Sequence, residues 1–148
     1  MLIHNVEIKV FVKEVEDFEE IENTLLKLVS LDLEREKIEL KQENLSGLNE
    51  TQIKIFTIKL EKERHINQFV SHLVNTLTNE QLGMLIRQKE SRLDDELYFF
   101  LRLEKTPLLE GKYYITDGGE CFHIKMKIAA FPSTKEAGLK VIDKIFKR

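Results

Sequence analysis

Residues 121–131 read CFHIKMKIAAF, and two sets of side chains interleave through them. Phe122, Ile124, Met126, Ile128 and Ala130 are apolar, whereas His123, Lys125 and Lys127 are basic. A period of two is the period at which a strand sends side chains to opposite faces. This segment is therefore expected to be a strand with one dry and one wet side. The same alternation recurs near the N-terminus, where Val6, Ile8, Val10 and Val12 alternate with Glu7, Lys9 and Phe11. It recurs again where Phe99, Leu101 and Leu103 alternate with Tyr98, Phe100 and Arg102. Strands buried on one face only belong to a mainly antiparallel sheet covered on one side.

Two further strands are expected. Residues 37–42 place Ile38 and Leu40 inward, and residues 53–60 are apolar on both parities from Ile55 to Phe56. That change of parity implies a bulge or a strand buried on both faces. The stretch LSGLNE between them carries turn residues. Helical periodicity fills the gaps. Phe18, Ile21, Leu25, Leu28 and Val29 share one face of a helix over residues 17–29, and Asp17 with Glu20 has capping-box spacing. Ile66, Phe69, Val70, Leu73, Val74 and Leu77 form a second stripe. TNEQ from Thr78 restarts a third helix through Leu82, Leu85, Ile86 and Leu93. Pro132 stops the last strand, and Ser133 with Glu136 has the spacing to cap a final helix carrying Val141, Ile142, Ile145 and Phe146 inward. The order β-α-β-β-α-α-β-β-α predicts an α+β two-layer sandwich of about five strands, with helices on one face of a mainly antiparallel sheet.

At 148 residues the chain is expected to form a single domain, 1–148. No apolar run approaches the ~18 residues of a membrane span, and the N-terminus lacks the basic-then-apolar layout of a secretion signal. Cys121 is the lone cysteine, which fits a reducing cytoplasm. Charge is unevenly spread. Residues 96–148 carry ten Lys or Arg against seven Asp or Glu, net +3, while residues 1–95 are net −6. An anion-binding surface is expected mainly in the C-terminal third.

The wet sides of the strands collect Lys9 and Phe11, Lys37 and Lys41, Tyr98, Phe100 and Arg102, and His123, Lys125 and Lys127. Cations neutralise phosphates and flat rings stack on unpaired bases, so this mixture suits single-stranded RNA. Five phosphate contacts at about 0.7 each would give a log–log salt slope of roughly −3.5. Lysines also occur on solvated sheet faces by default. Arg102, among large apolar residues, needs a charged partner or water, and Glu104 and Asp94 are the internal candidates.

Catalytic patterns are sparse. Asp94 and Asp95 are adjacent and diverge in a strand. His65 and His72 lie seven apart and are expected on the outer, solvated face of their helix, too far apart for a zinc pair. Cys121 and His123 share a face at i and i+2 without a third orienting group. No phosphate loop, dinucleotide-binding glycine pattern or nucleophile elbow occurs. The expectation is a non-enzyme with no cofactor and no metal site.

Residues 87–132, RQKESRLDDELYFFLRLEKTPLLEGKYYITDGGECFHIKMKIAAFP, resemble the archaeal RNA-binding proteins predicted to be exosome subunits. The shared pattern falls on Arg92 with Asp94, on Arg102, Glu104 and Lys105, on Asp117-Gly118, on Lys125 and Lys127, and on Phe131-Pro132. The opening HNVEIKVFVKEVED is also similar to that family's first strand. The resemblance implies a fold like the large-subunit ribosomal protein that binds 5S RNA. It also implies RNA binding and membership of the exosome, and adds Arg92 and Lys105 to the candidate RNA contacts. Two departures stand out. Glu104 replaces an Asp, and Thr106-Pro107 replaces a Gln-small pair, removing an amide that could read a base. Arg102 and Lys105 lie on opposite faces of a regular strand, so joint use requires a bend after Glu104. The expected partners are RNA and exosome subunits, with a homodimer or protein adaptor using Phe11, Tyr98 and Phe100 as the alternative.

Overall fold

The computed structural model describes residues 1–46 and 51–148. Five strands form one open antiparallel sheet: β1 (Ile3–Lys13), β2 (Leu40–Ser46), β3 (Gln52–Leu60), β4 (Tyr98–Glu104) and β5 (Cys121–Ile128). Their order across the sheet is β2-β3-β1-β5-β4. Among the described residues there are seven helices: α1 (Phe18–Val29), α2 (Leu33–Glu36), α3 (Glu63–Thr76), α4 (Asn79–Arg87), α5 (Lys89–Arg92), α6 (Lys105–Leu109) and α7 (Lys135–Ile145). The fold is α+β, consistent with the expected two-layer sandwich. The chain divides into two compact units, one of residues 1–6, 60–101 and 124–148, the other of residues 7–59 and 102–123.

In the first unit, α3 buries Ile66, Phe69, Leu73 and Val74, the stripe that its period gives. Leu77 caps the end of α3, its N–H donating to Leu73 O, and Thr78 begins the next helix. Its Oγ1 accepts from Gln81 N at 3.1 Å while Gln81 Oε1 accepts from Thr78 N at 2.9 Å, a complete capping box. The third helix expected from the sequence is in fact two, because α4 stops at Arg87 and the short α5 follows Gln88. α7 begins one residue later than its sequence spacing indicated. Thr134 is the cap, accepting from Ala137 N at 3.2 Å, whereas the Ser133 hydroxyl turns back to Ala130 O. Phe99 and Phe146 meet at 5.3 Å between ring centroids. At Gly138 an added Cβ would come within 3.1 Å of the Cδ2 atoms of Leu93 and Leu97, so a larger residue there would press those side chains back by a few tenths of an ångström. Lys89 Nζ pairs with Asp143 at 2.8 Å, joining α5 to α7.

In the second unit, Asp17 caps α1 by accepting from Glu19 N and Glu20 N, and Ser30 closes it in the left-handed region at φ 63°. Residues 37–39 are not strand. Lys37 is the left-handed cap of α2, and β2 starts at Leu40. β2 pairs with β3 in an unbroken register from Leu40↔Ile58 to Ser46↔Gln52. The parity change at Ile55 and Phe56 is thus no bulge in that ladder; both side chains are buried. Of the turn expected over LSGLNE, Leu45 and Ser46 belong to β2 and residues 47–50 lie outside the described residues. The bend after Glu104 is present: β4 ends there and α6 begins. Pro107 sits in the first turn of α6, where its missing N–H has no helical acceptor to lose.

Candidate nucleic-acid interface

On β4 the odd positions Phe99, Leu101 and Leu103 are fully buried, and the even positions Tyr98, Phe100 and Arg102 are half-exposed. On β5 Phe122, Ile124, Met126 and Ile128 are buried, and His123, Lys125 and Lys127 are half-exposed. On β1 Val6, Ile8, Val10 and Val12 are buried, while Lys9 is half-exposed and Phe11 exposed.

In the first unit, the Lys125 ammonium sits 4.2 Å from the Tyr98 ring centroid and 6.0 Å from that of Phe100. Lys127 lies 4.5 Å from the Tyr98 ring and also donates to Glu96 O. Ring faces attract cations through their quadrupole. The two rings therefore hold ammonium groups in place, and the Tyr98 ring is engaged by lysine. The Tyr98 ring is half-exposed and carries two ammonium groups close to it. Arg92 is elsewhere. It is only 7% exposed, with Nε and Nη2 on Gln88 Oε1 at 3.0 and 2.7 Å and Nη1 on Phe100 O at 3.3 Å. The guanidinium ties α5 to β4 and is not offered to solvent.

In the second unit, Phe11 meets His123 edge-on, with ring centroids 5.8 Å apart and an interplanar angle of 85°. Arg102 has no ion pair among the described residues. Of its two internal candidates, Asp94 instead accepts from Glu96 N at 3.0 Å and Tyr98 N at 2.9 Å, and Glu104 is exposed. The field of Arg102 reaches His123. Burial first, and then the charges of Arg102, Lys9 and Lys105, hold the imidazole below its ordinary range. Lys9 also pairs with Glu7 at 3.2 Å. Lys105 departs from the sequence expectation. It is 5% exposed, and its ammonium donates to Phe11 O at 2.7 Å and to the Glu16 carboxylate at 3.1 and 3.2 Å. A buried lysine needs such partners, and with them it fastens the start of α6 to the end of β1. Lys37 caps α2 through its backbone and is exposed, and Lys41 pairs with Glu43 at 3.2 Å.

The thiol and imidazole of Cys121 and His123 lie 3.6 Å apart. Burial pushes the thiol up despite Arg102 and Lys105, and holds the imidazole down. The pair is thus set toward a neutral thiol and a neutral ring, the reverse of an activated nucleophile. His65, expected on a solvated helix face, is buried at 3% exposure; His72 is half-exposed and lowered by burial. Among the described residues no three His, Cys, Asp or Glu side chains gather closely enough to hold a metal, and no helix is long and apolar enough to cross a membrane.

Comparison with known proteins supplies the family. The chain is 25% identical over 139 residues to the RNA-binding protein PAB1135 of Pyrococcus abyssi, covering 94% of this chain and 90% of that protein. Its fold is shared with Mth689, a DUF54 protein from Methanothermobacter thermautotrophicus, at a TM-score of 0.79 and 24% identity over 99% of this chain and 100% of that one. SSO0741 from Sulfolobus solfataricus superposes with a TM-score of 0.75 and 19% identity, covering 95% and 98% of the two chains. A family model described as RNA binding matches residues 5–128, a span that contains every cation and ring of both half-exposed clusters, and the chain therefore belongs to the RNA binding family.

Proposed function

We propose that residues 1–148 act as one non-catalytic RNA-binding domain, with Arg102, Lys9 and His123 in one unit and Lys125 and Lys127 in the other supplying phosphate contacts. The observation that carries this reading is the positive field at His123, where a half-exposed arginine lacks a carboxylate partner among the described residues. An RNA phosphate would supply the missing counter-charge. The rings contribute by holding Lys125 and Lys127 above Tyr98, so that less side-chain entropy is lost on binding. Lys105 and Arg92 serve the fold in this reading. The cellular role that goes with the family resemblance is an accessory of RNA processing or degradation in the cytoplasm, in contact with exosome subunits. A fold akin to the 5S-rRNA-binding ribosomal protein accompanies it. Co-purification of the chain with a reconstituted exosome core, with and without RNA, tests that contact, and direct superposition tests the fold.

The deciding measurement is the affinity for a single-stranded RNA at two salt concentrations. Arg102→Ala with Lys125→Ala should weaken binding and make the log–log salt slope less steep by about 1.4, two contacts at about 0.7 each. Arg102→Glu should weaken it further. Unchanged affinity in the double variant removes these residues as the RNA surface. A second reading rests on Phe11, which is 42% exposed. As an anchor it would join two copies or a protein partner. Light scattering separates the two, since a dimer that forms without RNA and breaks with Phe11→Ser would favour the adaptor.

A further inference from the structure

A groove of about 470 Å³ opens in the first unit between the segment after β5 and one face of α7. Ala137, Lys140, Val141 and Lys144 follow the i, i+3, i+4, i+7 rule and line one wall. Phe131 and Pro132 also line the groove, together with Ala129 and Ala130. Phe131 is 99% exposed, so both faces of its ring are available. Lys140 and Lys144 are exposed, with no ion pair among the described residues, whereas the neighbouring Asp143 is taken by Lys89. Glu136 also lines the groove and opposes an anion, leaving two cations against one carboxylate.

We propose that this groove takes one unpaired nucleotide of single-stranded RNA, its base against Phe131 and its flanking phosphates on Lys140 and Lys144. The proposal rests on the RNA-binding reading above and adds a contact region outside the strands. A volume of this size is ordinary for small-ligand sites. A free aromatic face next to unpaired cations matches a flat base joined to phosphates, the pairing used by single-strand binders.

Fluorescence anisotropy with a labelled oligouridylate at about 50 and 200 mM salt tests it, because the slope counts phosphate contacts. Phe131→Ala should weaken binding about fivefold or more with the slope unchanged, as loss of a stacking platform does. Lys140→Ala with Lys144→Ala should make the slope less steep by about 1.4. Glu136→Gln should tighten binding. All these side chains are exposed, so the variants should fold. Wild-type behaviour in all of them, alongside lost affinity in Arg102→Ala, overturns the groove and leaves the RNA-binding reading standing. Failure of the unaltered chain to bind at either salt overturns both. Displacement of the RNA by a polyglutamate peptide at equal concentration overturns the groove in favour of an acidic protein partner.

Discussion

Replacing Lys105 with methionine separates a structural lysine from an RNA-binding one. The substitution keeps an unbranched stem of similar length and removes the ammonium that serves Phe11 O and Glu16. It strands a carbonyl and a largely buried carboxylate. Breaking a buried pair by deleting one partner costs about 3–5 kcal/mol, and the lower end, about 3 kcal/mol, applies here. Glu16 keeps the Lys13 N–H at 3.0 Å, and its side chain is 20% exposed, so water offsets part of the loss. With a urea m-value of about 2 kcal/mol/M, the unfolding midpoint should fall by about 1.5 M with little change in slope. Adding Glu16→Leu should recover at least half of that, because removing both charges is far less costly than removing one. At urea-free conditions, RNA affinity should stay within about twofold of wild type, since an engaged ammonium has no phosphate to lose. A midpoint shift below about 0.3 M, with a loss of RNA affinity as large as that of Arg102→Ala, would refute the assignment.

Three other outcomes follow from the geometry. His123 and His72 are both held below their ordinary 6.5, so the unfolded chain binds more protons just below that pH. Stability should be full above about pH 6.5 and fall as the pH drops toward the folded values, and Gln at both positions should flatten the curve in thermal melts. Bound phosphate should raise the His123 pKa, so RNA should bind more tightly as pH falls from 7; an imidazole titration by NMR that does not move with saturating RNA contradicts the proposed contact. Thr78→Ala should cost about 1 kcal/mol and lower Tm by about 2–4 °C, since it removes one half of the capping box.

The strand alternation on β1, β4 and β5 was legible because burial in a strand is decided by each residue's own parity, and the observed burial follows it from Val6 to Val12, along β4 and from Phe122 to Ile128; Ile3 and Cys121, at the strand starts, are buried against it. The long helices were legible for the same reason at period 3.6. The helices α2, α5 and α6 span four or five residues each, too short to show any period. The burial of Lys105 was not legible because its partners lie 94 and 89 positions away, and a sequence gives no sign of which carbonyl a lysine will reach. The face of Tyr98 was legible from strand parity, but the lysines over its ring lie on another strand and were not. His65 was placed on the wrong side because its helix buries a wider stripe than the i, i+3, i+4 set alone. Phe131 and the α7 lysines were visible as residues, but only folding makes them line one groove.

The outer margin of β4 bears on how the protein behaves when concentrated. β5 flanks β4 on one side, and single bridges, Leu93↔Phe99 in one unit and Leu103↔Ile115 in the other, engage the strand outside its ladder with β5. Two positions of the most aromatic strand of the chain are thereby occupied by its own backbone, which leaves less of that margin for a stranger's strand. Growth of the sheet by strand addition is left to the polar β2, where charged and amide side chains make a poor template for stacking.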